Sequence, residues 1–264
     1  MRHDDLGLLL REKLREKPLL LMTHLIVGYP SLEDNWSMLE EMARAGVDVV
    51  ELQMPFSEPI ADGPLFVLAN HSAIAAGVTW RDYFSLAYRA SSELGLNILF
   101  MGYYNSVFKM GINDFCQNLS DANMQGFIIP DLPIEESKEI CDVSSGRGIS
   151  MIPIMAPGGS DSRLSTIGQS AASFVYCAAR AGVTGRPTDV ASDDVAEFIV
   201  RCRLATSALL GLGFGISTSQ DVRALHGVVD MAIVGTAGLK AWQTGGVNGY
   251  RYLLSSLVQA TEME

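Results

Sequence analysis

Eight short apolar runs, separated by helical or loop segments, constrain the fold of this chain more than any other feature. Polar and apolar residues do not alternate cleanly within them, and continuous apolar runs are typical of strands buried on both faces of a parallel sheet. The runs cover residues 19–27, 47–52, 97–101, 126–130, 150–155, 173–178, 208–211 and 230–234.

Helical patterns lie between these runs. Ser31, followed by Glu33 and Asp34, has the features of a helix start, and Gly46 those of a helix end. The same pattern is repeated over residues 79–95, 112–122, 134–145 and 192–203.

The order of these elements predicts the fold class. Strand and helix alternate without a linker or charge block, and 264 residues match the length of one (β/α)8 TIM barrel, about 250 residues. We therefore predict an α/β fold with a single barrel domain over residues 1–264, preceded by an extra amphipathic helix at the N-terminus. An open doubly wound sheet is the alternative, because one sequence cannot show closure.

Composition excludes several classes of function. Nineteen Lys and Arg against 30 Asp and Glu give a net charge of −11, which makes nucleic acid and membrane surfaces improbable partners. No apolar run is long enough to span a membrane, and we predict a cytoplasmic protein. The four cysteines and four histidines show no metal-binding or redox spacing, so we expect no metal and no cofactor.

Three acids, two near predicted strand ends and one in a turn, are candidates for catalysis. Glu51 ends an apolar run, where an unpaired carboxylate is costly to bury and can have a raised pKa suited to acid/base chemistry. A strand-end Glu satisfied by backbone amides or a Lys is the structural alternative. Asp62 lies in an Ala-Asp-Gly-Pro turn and can be simply a turn residue, and Asp131 closes the run Gly-Phe-Ile-Ile-Pro-Asp.

Three glycine-rich turns late in the chain are candidates for anion binding. They lie at residues 182–185, 211–215 and 235–236, each after a predicted strand. Glycine permits close approach of backbone N–H groups to an anion, and barrels of this class commonly bind phosphate after the last strands. A dinucleotide-binding loop at residues 211–215 is less favoured because the next acid, Asp230, precedes its strand. Plain turns remain the structural alternative.

At these residues the sequence resembles the tryptophan synthase α subunit family, over almost the whole chain. Six motifs follow the family's order: Glu51–Pro64, Met101–Asn105, Asp131–Glu136, Arg180–Gly185, Gly213–Ser217 and Val234–Ala237.

The resemblance implies a retro-aldol lyase that cleaves indole-3-glycerol phosphate into indole and glyceraldehyde 3-phosphate. It implies that Glu51 is the acid/base, that Asp62 accepts the indole N–H, that Tyr103 lines the pocket and that Asp131 supports the acidic site. The other substrate-binding residues it implies are Tyr176, Thr184, Gly185, Phe214, Gly215, Gly235 and Thr236.

The resemblance also implies a partner, the β subunit of an α2β2 complex. The loop after Glu51 would meet it, with Pro55, Phe56 and Glu58 as contacts and Phe56 and Glu58 exposed; a lid over the substrate is the alternative role of this loop. Three positions depart from the family pattern: Gln53 replaces a glycine, Ile26 a residue with a hydroxyl, and Glu58 the usual Asp. A stand-alone lyase, a diverged paralogue and a non-catalytic regulator of a β subunit are therefore alternatives.

Overall fold

In the computed structural model, which describes residues 5–179 and 192–262, nine strands form one parallel sheet. They are β1 Leu20–Ile26, β2 Val49–Gln53, β3 Ile98–Met101, β4 Gly126–Ile128, β5 Ser150–Met151, β6 Ile154–Met155, β7 Phe174–Ala178, β8 Leu209–Gly213 and β9 Met231–Val234. Their order in the sheet is β5-β4-β3-β2-β1-β9-β8-β7-β6.

The first and last strands in this order, β5 and β6, are the two halves of one predicted strand. Strands β5 and β6 flank Ile152 and Pro153; β5 pairs with β4 and β6 pairs with β7. The Ile152 N–H donates to Phe127 O at 2.9 Å, and the Tyr176 N–H donates to Pro153 O at 2.9 Å. The segment thus passes from one neighbour to the other and closes the barrel, so the predicted barrel is confirmed and the open sheet is not formed.

Helices form the outer layer of the barrel. Those within the described ranges are α1 Asp5–Lys13, α2 Leu32–Ala45, α3 Pro64–Ala75, α4 Trp80–Leu94, α5 Tyr104–Met110, α6 Ile112–Asp121, α7 Lys138–Ser145, α8 Asp161–Ser170, α9 Asp193–Ala205, α10 Ser219–Arg223 and α11 Thr236–Gln259, with a 3-10 turn at Ile134–Glu136 before α7. None of the helices in these ranges is long and apolar enough to cross a membrane.

Predicted helix ends agree with the capping geometry. The Ser31 hydroxyl accepts the Asp34 N–H at 3.0 Å and begins α2, and Gly46 ends it with a left-handed φ of 85°. The predicted start at Thr79 is a capping box with Asp82. The sequence did not predict α3, since the apolar residues of this helix are not confined to one face and so show no 3.6-residue period.

Strand alternation places the polar residues of the site. In β1 the side chains of Leu20 and Met22 belong to the cluster inside the barrel, and Leu6 and Leu10 of α1 join this cluster at its lower end. Successive side chains of a strand point to opposite faces. His24, two residues after Met22, therefore points inward near the upper end of the barrel.

Candidate active site at the carboxyl ends of the strands

A cavity of about 420 Å³ opens at the carboxyl ends of the strands. Its two carboxyl groups and its imidazole come from β1, β2 and the loop after β2, and its glycine-rich lining comes from the segments after β8 and β9. The residues that line it are His24, Glu51, Ala61, Asp62, Phe66, Met101, Ile128, Pro130, Ile154, Tyr176, Phe214, Gly215, Ile216, Ser217, Ile233, Gly235, Thr236, Ala237, Lys240 and Leu253.

Glu51 is buried and paired with a histidine. The Cα positions of His24 and Glu51 are register partners across β1 and β2, so their side chains lie side by side inside the barrel. His24 Nδ1 lies 2.9 Å from Glu51 Oε2, and the imidazole stacks on the Phe66 ring at 4.7 Å between centroids. The carboxylate is therefore satisfied by an imidazole, rather than by backbone amides or a Lys.

Gln53 connects this pair to Asp62. It lies two residues after Glu51 on the same face of β2 and is fully buried. Gln53 Oε1 lies 2.8 Å from His24 Nε2, and Gln53 Nε2 donates to Asp62 Oδ2 at 2.6 Å. The residue that replaces the family's glycine therefore joins the two candidate acids through a chain of hydrogen bonds.

Asn70 of α3 holds the Asp62 loop. Its Nδ2 donates to Asp62 Oδ2 at 3.3 Å and to the Phe66 carbonyl at 2.8 Å. Its Oδ1 accepts the Phe56 N–H at 2.9 Å and the Gln53 Nε2–H at 3.3 Å. Asp62 is thus a buried member of a network, and more than an ordinary turn residue.

Burial and charge shift the pKa values of this network. Burial alone lowers the pKa of His24, but the charge of Glu51, its hydrogen bond to the ring and the charge of Asp62 together raise that pKa above its usual value. Burial raises the pKa of Asp62, while the Gln53 hydrogen bond and the His24 charge oppose this. The site therefore favours the protonated, positively charged form of His24 between its two carboxyl groups.

Tyr103 and Asp131 lie in the segments that follow β3 and β4. The buried Tyr103 hydroxyl accepts the Ala61 N–H at 3.1 Å and bonds to Asp62, so it supports the Asp62 loop from behind. Asp131 is exposed and accepts the Tyr104 N–H at 2.8 Å. Neither residue is among those that line the cavity, and the implied roles of Tyr103 and Asp131 toward the substrate stay predictions.

The glycine-rich end of the cavity contains most of the predicted phosphate-binding residues. Tyr176, Phe214, Gly215, Gly235 and Thr236 all line it. The predicted residues Thr184 and Gly185 lie outside the described part of the chain. Lys240, on the second turn of α11, also lines the cavity and was not predicted.

Backbone geometry at this end depends on glycine. Phe214 and Gly215 have consecutive φ values of 75° and 92°, in the left-handed region that is costly for a residue with a side chain. A Cβ on Gly213 would lie 2.2 Å from the Tyr176 hydroxyl oxygen. Glycine there permits Tyr176 to cross the strand and reach the cavity.

The loop after β2 differs in part from the prediction. Glu58 is exposed as expected, but Pro55 is buried and Phe56 is half-buried, with its ring stacked on Tyr103 at 5.0 Å between centroids. The exposed apolar side chain of the loop is Ile60, at 71% exposure. Phe56 is unsuited to be an exposed anchor because it packs under its own loop.

Sequence reasoning missed His24 and Asn70 as members of the site. His24 had one detectable signal, as a polar residue within the otherwise apolar run of β1, next to the strand that carries Glu51. Asn70 had no signal, since its helix was not predicted. Ile26, a departure from the family pattern, is buried against α3 and does not line the cavity.

Metal-binding geometry is not found in residues 5–179 and 192–262. No three His, Cys, Asp and Glu side chains of these ranges lie close enough together to hold a metal ion. The four cysteines are unbridged, and Cys116, Cys177 and Cys202 are buried.

Comparison with known proteins identifies the family. The family model described as "Tryptophan synthase alpha chain" matches residues 10–262. The chain belongs to the tryptophan synthase alpha chain family. It is 39% identical to the tryptophan synthase alpha chain of Desulforapulum autotrophicum and 38% identical to that of Syntrophotalea carbinolica, each over 94% of this chain and 98% of the relative.

Solved structures of this family have the same fold. The chain aligns with a structure of Mycobacterium tuberculosis tryptophan synthase at a TM-score of 0.92 and 27% identity, over 99% of this chain and 100% of the other. It aligns with tryptophan synthase subunit alpha of Legionella pneumophila at a TM-score of 0.84 and 26% identity, over 97% of each chain.

Family membership confirms the activity that the motifs predict. The protein is a tryptophan synthase alpha-type lyase, and its reaction is the alpha reaction of tryptophan biosynthesis, the cleavage of indole-3-glycerol phosphate. No observation favours a diverged or non-catalytic protein.

Proposed function

We propose that Glu51 and Asp62 carry out the alpha reaction in this cavity. The observation that supports the assignment most strongly is their common position. Both carboxyl groups are buried, both line the cavity, and one hydrogen-bonded chain through His24 and Gln53 joins them. The steps proposed below are proton transfers and charge stabilisation, and they require no metal or cofactor.

Glu51 acts as the acid and base. Its carboxyl group protonates the indole carbon that bears the glycerol side chain, which gives a cationic ring. The carboxylate then takes the proton of the adjacent side-chain hydroxyl as the carbon–carbon bond breaks. The electrons of that bond return to the ring, the oxygen forms a carbonyl, and indole and glyceraldehyde 3-phosphate are released.

Asp62 stabilises the cationic ring by accepting the indole N–H. Its Oδ2 is already occupied by the amide groups of Gln53 and Asn70. The other carboxylate oxygen is therefore the one proposed to face the substrate. A carboxylate fixed beside a developing positive charge stabilises the transition state without reorganisation.

The phosphate group is proposed to bind at the glycine-rich end. Backbone amides near Gly215 and at the start of α11, from Thr236 onward, lie there, and a helix N-terminus favours an anion. Lys240 adds a positive side chain on the same helix. This local positive potential offsets the net charge of −11 of the chain.

We predict that Gly215→Val raises the KM for the substrate by about 10-fold to 100-fold, because a charge-assisted hydrogen bond contributes about 1.5–3 kcal/mol. The valine side chain would keep the anion from the backbone amide, and the φ of 92° adds backbone strain. Gly227→Val is the matched control, since Gly227 has a φ of 74° and open space around it, before β9 at the opposite end of the barrel. Unchanged inhibition by glycerol 3-phosphate in Gly215→Val would place the phosphate elsewhere.

We propose a β subunit as the partner, in an α2β2 complex in the cytoplasm. The support is the loop after β2, which carries an exposed apolar residue, Ile60, and an exposed charge, Glu58. Phe108 of α5, on the segment after the neighbouring strand, is also 70% exposed. Large exposed apolar residues near one charge suit an interface anchor.

We predict that an added β subunit increases cleavage by this chain, and that Ile60→Ser and Glu58→Ala reduce this increase more than they reduce basal turnover. The loop that carries these residues also carries Asp62, so a contact there can adjust the site. Leu204→Ser is the control, because Leu204 is 85% exposed on α9, away from the cavity. High turnover by the isolated chain, together with no binding to a β subunit in a titration, would favour a stand-alone lyase.

The direct test of the proposed activity is the steady-state release of indole from indole-3-glycerol phosphate by the purified chain. We expect catalytic turnover that glycerol 3-phosphate inhibits competitively. If no indole is released with or without a β subunit, the proposed role of this cavity is wrong.

A further inference from the structure

Two backbone groups fix the orientation of the Asn70 side chain. The Phe56 N–H donates to Asn70 Oδ1 at 2.9 Å, and the Phe66 carbonyl accepts from Asn70 Nδ2 at 2.8 Å. A backbone N–H can only donate and a carbonyl can only accept, so these contacts distinguish the amide oxygen from the nitrogen. The oxygen of Asn70 therefore faces Gln53.

The Asn70 oxygen in turn orients Gln53. The Gln53 atom that lies 3.3 Å from Asn70 Oδ1 must be the NH₂ group, which also donates to Asp62 Oδ2 at 2.6 Å. Its oxygen then faces His24 Nε2 at 2.8 Å. Because an amide oxygen accepts and cannot donate, Nε2 of His24 must carry a hydrogen.

We propose that His24 is a positioning residue that stores the proton used by Glu51. With Nε2–H committed to Gln53, Nδ1 is the ring atom left to share a proton with Glu51 Oε2, 2.9 Å away. The inference rests on the proposed acid/base role of Glu51, and it adds that one proton is shared between Glu51 Oε2 and His24 Nδ1.

Coupling of two such groups has a defined consequence. The Glu51 carboxylate favours the imidazolium form of His24, so His24 keeps its proton to a higher pH than a free imidazole would. Burial lowers the pKa of His24, but the contributions of Glu51 and Asp62 outweigh it. Deprotonation of the pair is therefore expected to set the alkaline limit of activity.

Among residues 5–179 and 192–262, few other charged groups surround the pair. Asp62 lies on the far side of Gln53, and Lys240 of α11 lines the same cavity. Tyr83 of α4 and Tyr176 of β7 interact with the charge of Glu51, but burial raises the pKa of each phenol well above its usual value. Both phenols remain neutral over the range in which His24 titrates.

The stored proton is conserved over a catalytic cycle. Glu51 gives one proton to the ring carbon and takes one from the side-chain hydroxyl when the carbon–carbon bond breaks. The Glu51–His24 pair therefore starts and ends each turnover with the same single shared proton, and no other acid or base is needed.

Nitrogen-15 NMR of histidine-labelled protein tests the proton positions without using activity. The chain has four histidines, so the spectrum of His24→Phe assigns the signals of His24 by difference. We expect Nε2 to remain protonated throughout and Nδ1 to titrate with a midpoint above 6.5. The midpoint should fall in Glu51→Gln. The proposal would be overturned if Nε2 of His24 proved to be unprotonated. It would also be overturned if Glu51→Gln left the titration midpoint unchanged.

The pH profile of kcat tests the consequence for catalysis. His24→Phe keeps an aromatic ring to stack on Phe66, and His24→Gln keeps hydrogen-bonding atoms but cannot titrate. We expect both variants to lose activity at a lower pH than the unsubstituted protein on the alkaline side, because neither phenylalanine nor glutamine can hold the proton that His24 shares with Glu51. Recovery of the original profile by His24→Gln would show that the histidine is structural only.

The failure of this inference can be distinguished from failure of the proposed function. If Glu51→Gln retains turnover, the acid/base role of Glu51 is wrong. If Glu51→Gln is inactive while the His24 variants keep the original alkaline limit, only the inference about His24 is wrong.

Discussion

Glu51→Gln is expected to lower kcat for indole release by about 100-fold to 10,000-fold, the usual contribution of a general acid or base. Glutamine keeps the size of the side chain and can donate a hydrogen bond to His24 Nδ1, so the packing of the site should persist. It cannot deliver a proton to the ring carbon. Substrate affinity should change little, because the phosphate and the indole N–H are bound elsewhere.

Steady-state and single-turnover assays should therefore show a fall in kcat at nearly constant KM. Glu197→Gln is the matched control, since it makes the same change at an exposed position of α9 on the outer layer. The melting temperatures of the two variants report whether folding is affected. Turnover within a factor of ten of the unsubstituted protein would rule out Glu51 as the acid.

Local signals predicted most of the barrel because its elements are encoded locally. Ser31, Gly46 and Thr79 mark helix ends by capping chemistry that acts within four residues, and all three were located correctly. The sequence predicts one strand over residues 150–155, whereas the structure has two, β5 and β6, on either side of Ile152 and Pro153. Helix α3 is not predicted because its apolar residues do not repeat at helical spacing along one face.

The sequence predicts only those residues of the candidate site that can be recognised one at a time. Glu51 and Asp62 stand out as acids near a strand end and in a turn. The hydrogen bonds of His24 to Glu51 and Gln53 depend on the register of β1 against β2, which no local pattern gives. In the sequence Gln53 is therefore only a departure from the family pattern, whereas in the structure it links His24 to Asp62.

The same limit explains the error at the loop after β2. An aromatic residue between two prolines, as Phe56 is, looks exposed when only its neighbours in sequence are considered. Tyr103, 47 residues further on, supplies the ring on which Phe56 packs. Ile60, rather than Phe56, is the exposed apolar side chain of this loop.

Asp62→Asn is expected to lower kcat/KM by about 100-fold to 1,000-fold, the cost of removing one electrostatic group from a transition state. The network makes this substitution worse than the loss of a charge. Gln53 and Asn70 both donate to Asp62 Oδ2, so an asparagine must turn its oxygen toward them. Its NH₂ group would then face the indole N–H, and two donors would oppose each other.

Asp62→Asn should accordingly raise KM as well as lower kcat, unlike Glu51→Gln. Asp142→Asn controls for the change of charge, because Asp142 is an exposed residue of α7 paired with Lys138. Gln53→Leu combined with Asp62→Asn provides a sharper test, since it removes one of the donors that fix the orientation of the asparagine. Part of the lost affinity should return in the double variant, which then differs from the sum of the single changes. Strict additivity of the two changes would mean that the network does not orient this side chain, and the loss would then be due to the charge alone.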